Sequence, residues 1–350
     1  MNSVYGALLN RFFKFFDDRL GASTTACGRQ ITTFMNCQIG ELITGEPTEW
    51  TKETVTLTDG EVTHGYTTTC PVLITADTDS SYFTTRARNK EEAILIADEI
   101  ASLVNDMFPE FMRTAFLCTP GYDDLIKAGR EVVAERGLFQ AKKKYMLRCL
   151  NIEGNDYPDG KFKAMGSEIK KSDTPKVIQK FLSDVVDKIL RGQDEKSIEK
   201  FVLAERKRLM TPEFIVAMGV AKSVNKFEQY YTEWELFEKR GVKRVNLPGH
   251  VRASINFNEM VKLNNTDDKL IRSGDKVRIY YLLPNTFGFI SIGIPNDITN
   301  IPKWFYDHFE IDVSLTQEKM IDAKLKGIYA ALRWEVPTVQ GSFVNSLLEF

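Results

Sequence analysis

Residues 65–86 read GYTTTCPVLITADTDSSYFTTR, and the fold of the first half of the chain turns on them. Val72, Ile74 and Ala76 alternate with less apolar neighbours, the period-2 pattern of a half-buried strand, and Tyr82 and Thr84 resume it after D-T-D-S. The stretch predicts a hairpin with an acidic pair at its tip. Asp77 and Asp79 stand two apart at a strand end, where i and i+2 share a face, so both can reach one divalent cation; carboxylate oxygens are hard ligands that suit Mg²⁺. A hydrated turn accounts for the same residues, because Asp and Ser are turn formers. An EF-hand does not, since the loop glycine and closing glutamate are missing.

Outward from this hairpin, NKEEAILIADEIASLVNDMF (89–108) has helical period, and REVVAERGLFQAKKKYMLRCLNI (130–152) offers two strand candidates around Gly137. Upstream, Val4, Leu8, Phe12 and Phe15 form a helical stripe that Asn2 or Ser3 is placed to cap. Residues 17–35 then read as a turn at Gly21 followed by a second helix. The first 165 or so residues therefore mix helices with a small antiparallel sheet. Beyond MGSEIKKSDTPK (165–176) the pattern is mainly helical: Ser172, Asp173 and Thr174 offer N-cap chemistry, Pro175 suits the first helical position, and Val177, Phe181, Val185 and Ile189 repeat at i+4. Two strands, in DKVRIYYLLPN (275–285) and FGFISIGIP (287–295), interrupt that region. The fold class expected is α+β.

Length and composition set bounds. A chain of 350 residues, 43% of them hydrophobic, can bury a real core and suggests about two domains. It has no apolar run of 18 residues and no secretory leader pattern, which points to the cytoplasm. Cys27, Cys37, Cys70, Cys118 and Cys149 are odd in number and scattered, so they read as reduced, mostly buried thiols. His64, His250 and His308 are too dispersed for a metal or triad motif. The net charge of −2 argues against wholesale polyanion binding, yet residues 142–180 hold ten Lys/Arg against five Asp/Glu. That local excess of five positive charges suits a phosphate backbone, although a solvated face looks the same.

Four motifs occur in order: NSVYG (2–6), DTDS (77–80), KKKY (142–145) and MGSEIKKSDTPK (165–176). Together they resemble the second half of a family B DNA polymerase, most closely those of T4-like bacteriophages, with N-S-x-Y-G closing the fingers, D-T-D-S and K-K-R-Y in the palm, and M-G-x-E-x-x-x-S-x-T-P opening the thumb. The likeness continues into LPGHVRASINFN (247–258) and the short apolar tail. It implies a partial palm with a small antiparallel sheet plus a mainly helical thumb: residues 1–16 the end of the fingers helix, 17–164 palm, 165–340 thumb, and 341–350 a clamp-binding tail.

By this resemblance the chemistry is two-metal nucleotidyl transfer onto a primer 3′-hydroxyl, with Mg²⁺ ions about 3.5–4 Å apart. Asp77 and Asp79 are the metal ligands, Asp79 bridging and Asp77 supporting, and Glu131 is a further palm carboxylate. Asn2, Tyr5 and Thr78 attend the nucleotide and nascent base pair. Lys143 and Tyr145 face the minor groove of the primer–template, where acceptors common to every base pair allow binding without sequence preference; Lys142, Lys144, Ser172 and Lys176 complete the DNA contacts. Leu347, Leu348 and Phe350 are the anchors for a sliding clamp. The family's fingers lysine, first palm aspartate and exonuclease are not in this sequence, which implies one subunit of a split enzyme or a fragment, active only with an N-terminal polypeptide. Two departures stand out: Ala76 replaces the glycine before the first aspartate, and Lys144 replaces arginine, keeping the charge but losing the bidentate fork. Other readings of the same residues are a non-catalytic DNA- and clamp-binding accessory subunit and, through D-x-D alone, a metal-dependent glycosyltransferase.

Overall fold

Two capped helices build the first half of the chain. In the computed structural model, which describes residues 6–56, 62–77, 79–141, 143–240 and 246–337, helix α1 spans Asp18–Thr44 and helix α2 spans Lys90–Phe116. The Asp17 side chain accepts from the backbone N–H of Arg19 at 2.9 Å to start α1, and Gly45 ends it in the left-handed region at φ 76°. Asn89 caps α2 by accepting from the Glu92 N–H at 2.8 Å, while the Glu92 carboxylate accepts from the Arg88 N–H at 2.8 Å, so two free donors of the first turn are satisfied.

The chain divides into two compact units, residues 1–135 with 149–161, and residues 136–148 with 162–350. In the first unit, Phe34 of α1 stacks on Phe111 of α2 with ring centroids 4.1 Å apart. Ile39, Ile100, Val104 and Phe108 form the buried centre. Strands β1 (Thr51–Thr56) and β2 (Val62–Thr67) pair antiparallel, as do β3 (Leu73–Asp77) and β4 (Ser80–Phe83). Leu73 and Phe83, opposite each other at the open end of the second hairpin, pack against the helical core.

The N-terminal segment departs from its expected form. Residues 6–8 are helical, residues 9–17 are turns and irregular backbone, and no turn separates them from α1 at Gly21. Asp17 supplies the cap where the Phe-rich stripe was expected to continue, and Gly21 lies inside α1 because the Leu9 side chain occupies the space its β-carbon would need. Residues 2 and 3, the expected cap, lie outside the described residues.

Strands β5 (Val132–Ala141), β6 (Lys144–Ile152) and β7 (Asn155–Met165) form a sheet in chain order. Both strands anticipated in residues 130–152 are present, but β5 runs unbroken through Gly137 and the turn falls at Lys143.

In the second unit α3 (Lys176–Leu190) turns Ile178, Phe181, Leu182, Val185, Val186 and Ile189 into the core, the face its i+4 stripe predicted. Its N-cap is Pro175, without a side-chain cap bond, so the flanking Asp173 and Thr174 serve elsewhere. Helices α4 (Glu195–Leu209) and α5 (Pro212–Ala217), strand β8 (Val220–Ser223), and helices α6 (Phe227–Arg240) and α7 (Gly249–Leu263) follow. Strands β9 (Lys276–Tyr281) and β10 (Ser291–Pro295), both anticipated, complete an antiparallel sheet in the order β10-β9-β8. Helix α7 lies against β10: the backbone at Ala253–Ser254 comes within 3.4 Å of the position a Gly293 β-carbon would take, and Asn256 donates to the Ser291 carbonyl at 2.9 Å. Helices α8 (Lys303–His308) and α9 (Val313–Gln317), a π-helical turn over Glu318–Asp322, and α10 (Ala323–Leu332) close the described chain.

The fold is α+β with small antiparallel sheets. The five thiols are free, but only Cys149 is fully buried; Cys27, Cys37, Cys70 and Cys118 are half-buried, contrary to the expectation of mostly buried thiols. Cys27 and Cys37 lie within α1 and Cys70 and Cys118 in loops, none of them in the apolar centres. Among the described residues no helix is long and apolar enough to cross a membrane.

Candidate active site and nucleic-acid interface

The acidic pair stands at the tip of the β3–β4 hairpin. Asp77 pairs with Ser80, and Asp79 lies in the turn just before β4. Asp77 is half-buried as the last residue of β3, and Asp79 is exposed in the turn. The strand-face argument therefore reaches Asp77 only, because Asp79 lies in the turn and not in a strand. Ala76 sits in regular pairing with Ser81, so its extra methyl is accommodated in extended backbone.

The base of this hairpin is held more firmly than its tip. Beneath Asp77, the Ser81 hydroxyl donates to Asn36 Oδ1 of α1 at 2.5 Å, and Asn36 is 3% exposed. The Thr84 N–H donates to the Val72 carbonyl at 2.8 Å, and Val72 is fully buried. A register shift between Leu73 and Thr75 places an extra residue, Ile74, in β3, a bulge of the kind that re-aims the side chains beyond it. The buried face of α1 includes Thr32, Asn36 and Gly40 at four-residue spacing, a polar and small stripe that no search for apolar periodicity detects.

As a metal site the hairpin tip is partial. Its two carboxylates are the oxygen donors Mg²⁺ prefers, but among the described residues no group of three or more His, Cys, Asp or Glu is placed to hold a metal, Glu131 included. Glu131 is exposed ahead of β5, and its carbonyl accepts from the Glu153 N–H at 2.7 Å. The donor set fits one side of a Mg²⁺ shell and needs further ligands from outside it.

The second unit carries the basic motifs. Lys143 is exposed in the β5–β6 turn with a left-handed φ of 61°. Lys144 is exposed at the start of β6, and Tyr145 is half-buried with its ring 5.7 Å from that of Phe139. Gly166, just past β7, has φ 59°, and a β-carbon there would overlap the Lys143 carbonyl oxygen. The next residue, Ser167, is 4% exposed; its hydroxyl accepts from the Ile169 N–H at 3.3 Å and lies 3.6 Å from the Met146 sulfur. Two motifs twenty residues apart in sequence thus pack on each other within this unit.

Residues 167–175 form a tethered strap. Lys324 of α10, 12% exposed, donates at 3.0 Å to both Glu168 and the Thr174 hydroxyl, and Lys222 of β8 donates to Asp173 at 2.7 Å. Burial pushes the Glu168 carboxyl up, but the hydrogen bonds from Lys171 and Lys324 outweigh it and the net movement is downward. The bond from Lys222, with its charge, likewise lowers Asp173. Gln179 donates to the Lys171 and Thr174 carbonyls at 2.9 Å. With Thr174 and Pro175 buried, Lys170, Lys171, Ser172 and Lys176 are left exposed along the strap. Nothing in the sequence marks Lys222 or Lys324 as its anchors; each lies far along the chain with no motif around it.

Asn2, Tyr5, Thr78, Lys142, Leu347, Leu348 and Phe350 lie outside the described residues.

The hairpin tipped by D-T-D-S in one unit, and the basic turn braced by M-G-S in the other, carry two of the motifs on which the resemblance to a polymerase family rests. The chain belongs to DNA polymerase family B, whose family model matches residues 1–233. Among curated relatives, the DNA-directed DNA polymerase of Escherichia phage RB69 is 25% identical over 350 residues, covering 95% of this chain and 36% of that protein. The DNA-directed DNA polymerase of Enterobacteria phage T4 is 24% identical over 324 residues, covering 87% of this chain and 33% of that protein. The chain spans about a third of the length of these relatives.

Proposed function

We propose that this chain is the C-terminal, palm-and-thumb portion of a DNA-directed DNA polymerase, working with an N-terminal polypeptide that supplies the other catalytic aspartate, the fingers and the exonuclease. The observation that carries this is the anchored hairpin with Asp77 and Asp79 at its tip in a chain of family B.

In this reading Asp77 and Asp79 hold Mg²⁺ on one side, and the Asn36–Ser81 bond fixes the hairpin so that no reorganisation is needed when substrate arrives. Two Mg²⁺ ions, when bound, supply the positive charge that favours the primer 3′-alkoxide and the departing pyrophosphate. The 3′-oxygen bonds to the α-phosphorus of the incoming nucleotide as the bond to the β-phosphate oxygen breaks. Lys143, Lys144 and Tyr145, with Lys142, Ser172 and Lys176, bind the primer–template. Asn2, Tyr5 and Thr78 attend the nascent pair, and Leu347, Leu348 and Phe350 dock on a sliding clamp. Phe12 and Phe15, 99% and 66% exposed, are the surface offered to the N-terminal polypeptide. A cytoplasmic location goes with this role.

The test is reconstitution. The chain alone extends a primer little or not at all; mixed with a polypeptide carrying the missing palm aspartate it extends efficiently, and Asp79→Asn abolishes extension while sparing DNA binding. Robust incorporation by the highly purified chain alone, or full activity of the Asp79→Asn pair, refutes the reading. The second outcome is what a non-catalytic DNA- and clamp-binding subunit predicts.

A further inference from the structure

We infer that Gly166 is a positioning residue for DNA binding: it sets the carbonyl, and with it the side-chain direction, of Lys143. The inference rests on the reading above that Lys143 contacts the primer–template.

Both residues have left-handed backbone, φ 59° at Gly166 and 61° at Lys143. For Gly166 this is glycine's own region, whereas for a lysine it is a strained turn that its surroundings have to hold. The neighbour in place to hold it is Gly166 itself. A β-carbon at this position would overlap the Lys143 carbonyl oxygen, lie 3.1 Å from the Lys143 carbonyl carbon and 3.2 Å from Lys144 Cγ. Two of these are backbone atoms, which cannot rotate aside as the end of a flexible side chain does. Any larger residue at 166 drives the Lys143 peptide outward by about an ångström.

The floor beneath the contact is rigid. Ser167 is buried against Met146, itself fully buried, and the strap beyond is tied by Lys324 and Lys222. The displacement therefore falls on the exposed turn. Elsewhere on the same sheet Gly154, in the β6–β7 turn, has φ 82° with nothing within 4 Å of its would-be β-carbon. It carries the same backbone demand without the contact, which makes it an internal control.

The experiment measures binding of a fluorescent primer–template by the full chain across a salt series, with thermal unfolding recorded for each variant. Gly166→Ala is expected to weaken binding about tenfold, the loss of one charge-assisted contact, and to reduce the log–log salt slope by about 0.9. It adds no further loss in a Lys143→Ala background, because both changes remove one interaction. Gly154→Ala carries the backbone strain alone, so it lowers thermal stability less and leaves affinity and slope unchanged. Should Gly166→Ala fold poorly, Gly166→Asn and Gly154→Asn repeat the comparison with a side chain that tolerates left-handed backbone; only the first weakens binding. If Lys143→Ala weakens binding and neither Gly166 variant does, or if the Gly166 and Lys143 losses add in full, the inference is overturned and the DNA-binding reading stands. If Lys143→Ala itself has no effect, both fall.

Discussion

Asn36→Ala removes the acceptor that ties the acidic hairpin to α1. The bond it breaks is between neutral side chains, worth about 1 kcal/mol net, and the Ser81 hydroxyl left without a partner adds about 1 kcal/mol more because it is only half-buried. Alanine favours α1 over asparagine by about 0.5 kcal/mol, which offsets part of the cost to the helix but none of the cost to the hairpin. Local opening of residues 73–83 should therefore become easier by about 2 kcal/mol, roughly a thirtyfold faster amide exchange. Hydrogen exchange read peptide by peptide measures this directly, and α2, held through Phe34 and Phe111, should be little changed. Ser81→Ala added to Asn36→Ala should cost nothing further and recover about 1 kcal/mol, since it removes the hydroxyl left without a partner. An exchange rate for residues 73–83 within twofold of the unmodified chain, or additive effects of the two substitutions, would show that Leu73 and Phe83 hold the hairpin by packing alone.

Three further outcomes follow from the second unit and the tail. Arg206→Met leaves Asp322 without the buried guanidinium, 2% exposed, that pairs with it, and should destabilise the chain by about 3 kcal/mol in urea unfolding, the low end for such a break because the Asp322 side chain is 32% exposed. Glu168 and Asp173 are both held below their ordinary values of 4.5 and 3.8, so the stability they contribute is complete above those values and is lost as pH falls through the lower folded ones; a melting-temperature profile should drop more gently below pH 4.5 in Glu168→Gln than in the unmodified chain, while identical profiles would remove Glu168 from the account. Deleting residues 345–350 should reduce clamp-stimulated processivity of the reconstituted enzyme with basal synthesis unchanged, and an undiminished clamp response counts against docking through Leu347, Leu348 and Phe350.

What the sequence disclosed was whatever local chemistry determines. The β3–β4 hairpin, α2, α3 and the β9–β10 pair were legible because alternation, helical period and turn residues all act within a few positions. The opening helix was misread for an instructive reason: the apolar spacing of Leu8, Phe12 and Phe15 fits a helical stripe, but Asp17 caps a longer helix just downstream, and the Leu9 side chain packs back on Gly21. Gly21 looked like a turn residue and is instead a place where another side chain comes close. The same ambiguity hid Gly137, which lies within a strand while the turn falls at Lys143, six residues later. At the candidate site, residue types and order marked Asp77, Asp79 and the lysine run, whereas the turn at Lys143 was not anticipated and Asn36, Lys222 and Lys324 had no pattern to betray them. Their contribution comes from long-range pairing, over 45, 49 and 150 or more residues.

A division of labour underlies both motifs. In each, a residue proposed to meet substrate is exposed on a turn, Asp79 before β4 and Lys143 at φ 61°, while a hydroxyl close by in the chain is engaged with a buried side chain: Ser81 with Asn36, Ser167 with Met146. Short turns on their own would sample many geometries, at a cost that substrate binding would have to offset. Fixing the backbone one or two residues away, through a buried hydroxyl or a glycine with no room for a β-carbon, removes that cost without covering the carboxylates or the lysines. Substitutions in these supports should therefore lower turnover or affinity while leaving every substrate-facing group in place, a pattern that residue-by-residue conservation of the charged motif alone does not foretell.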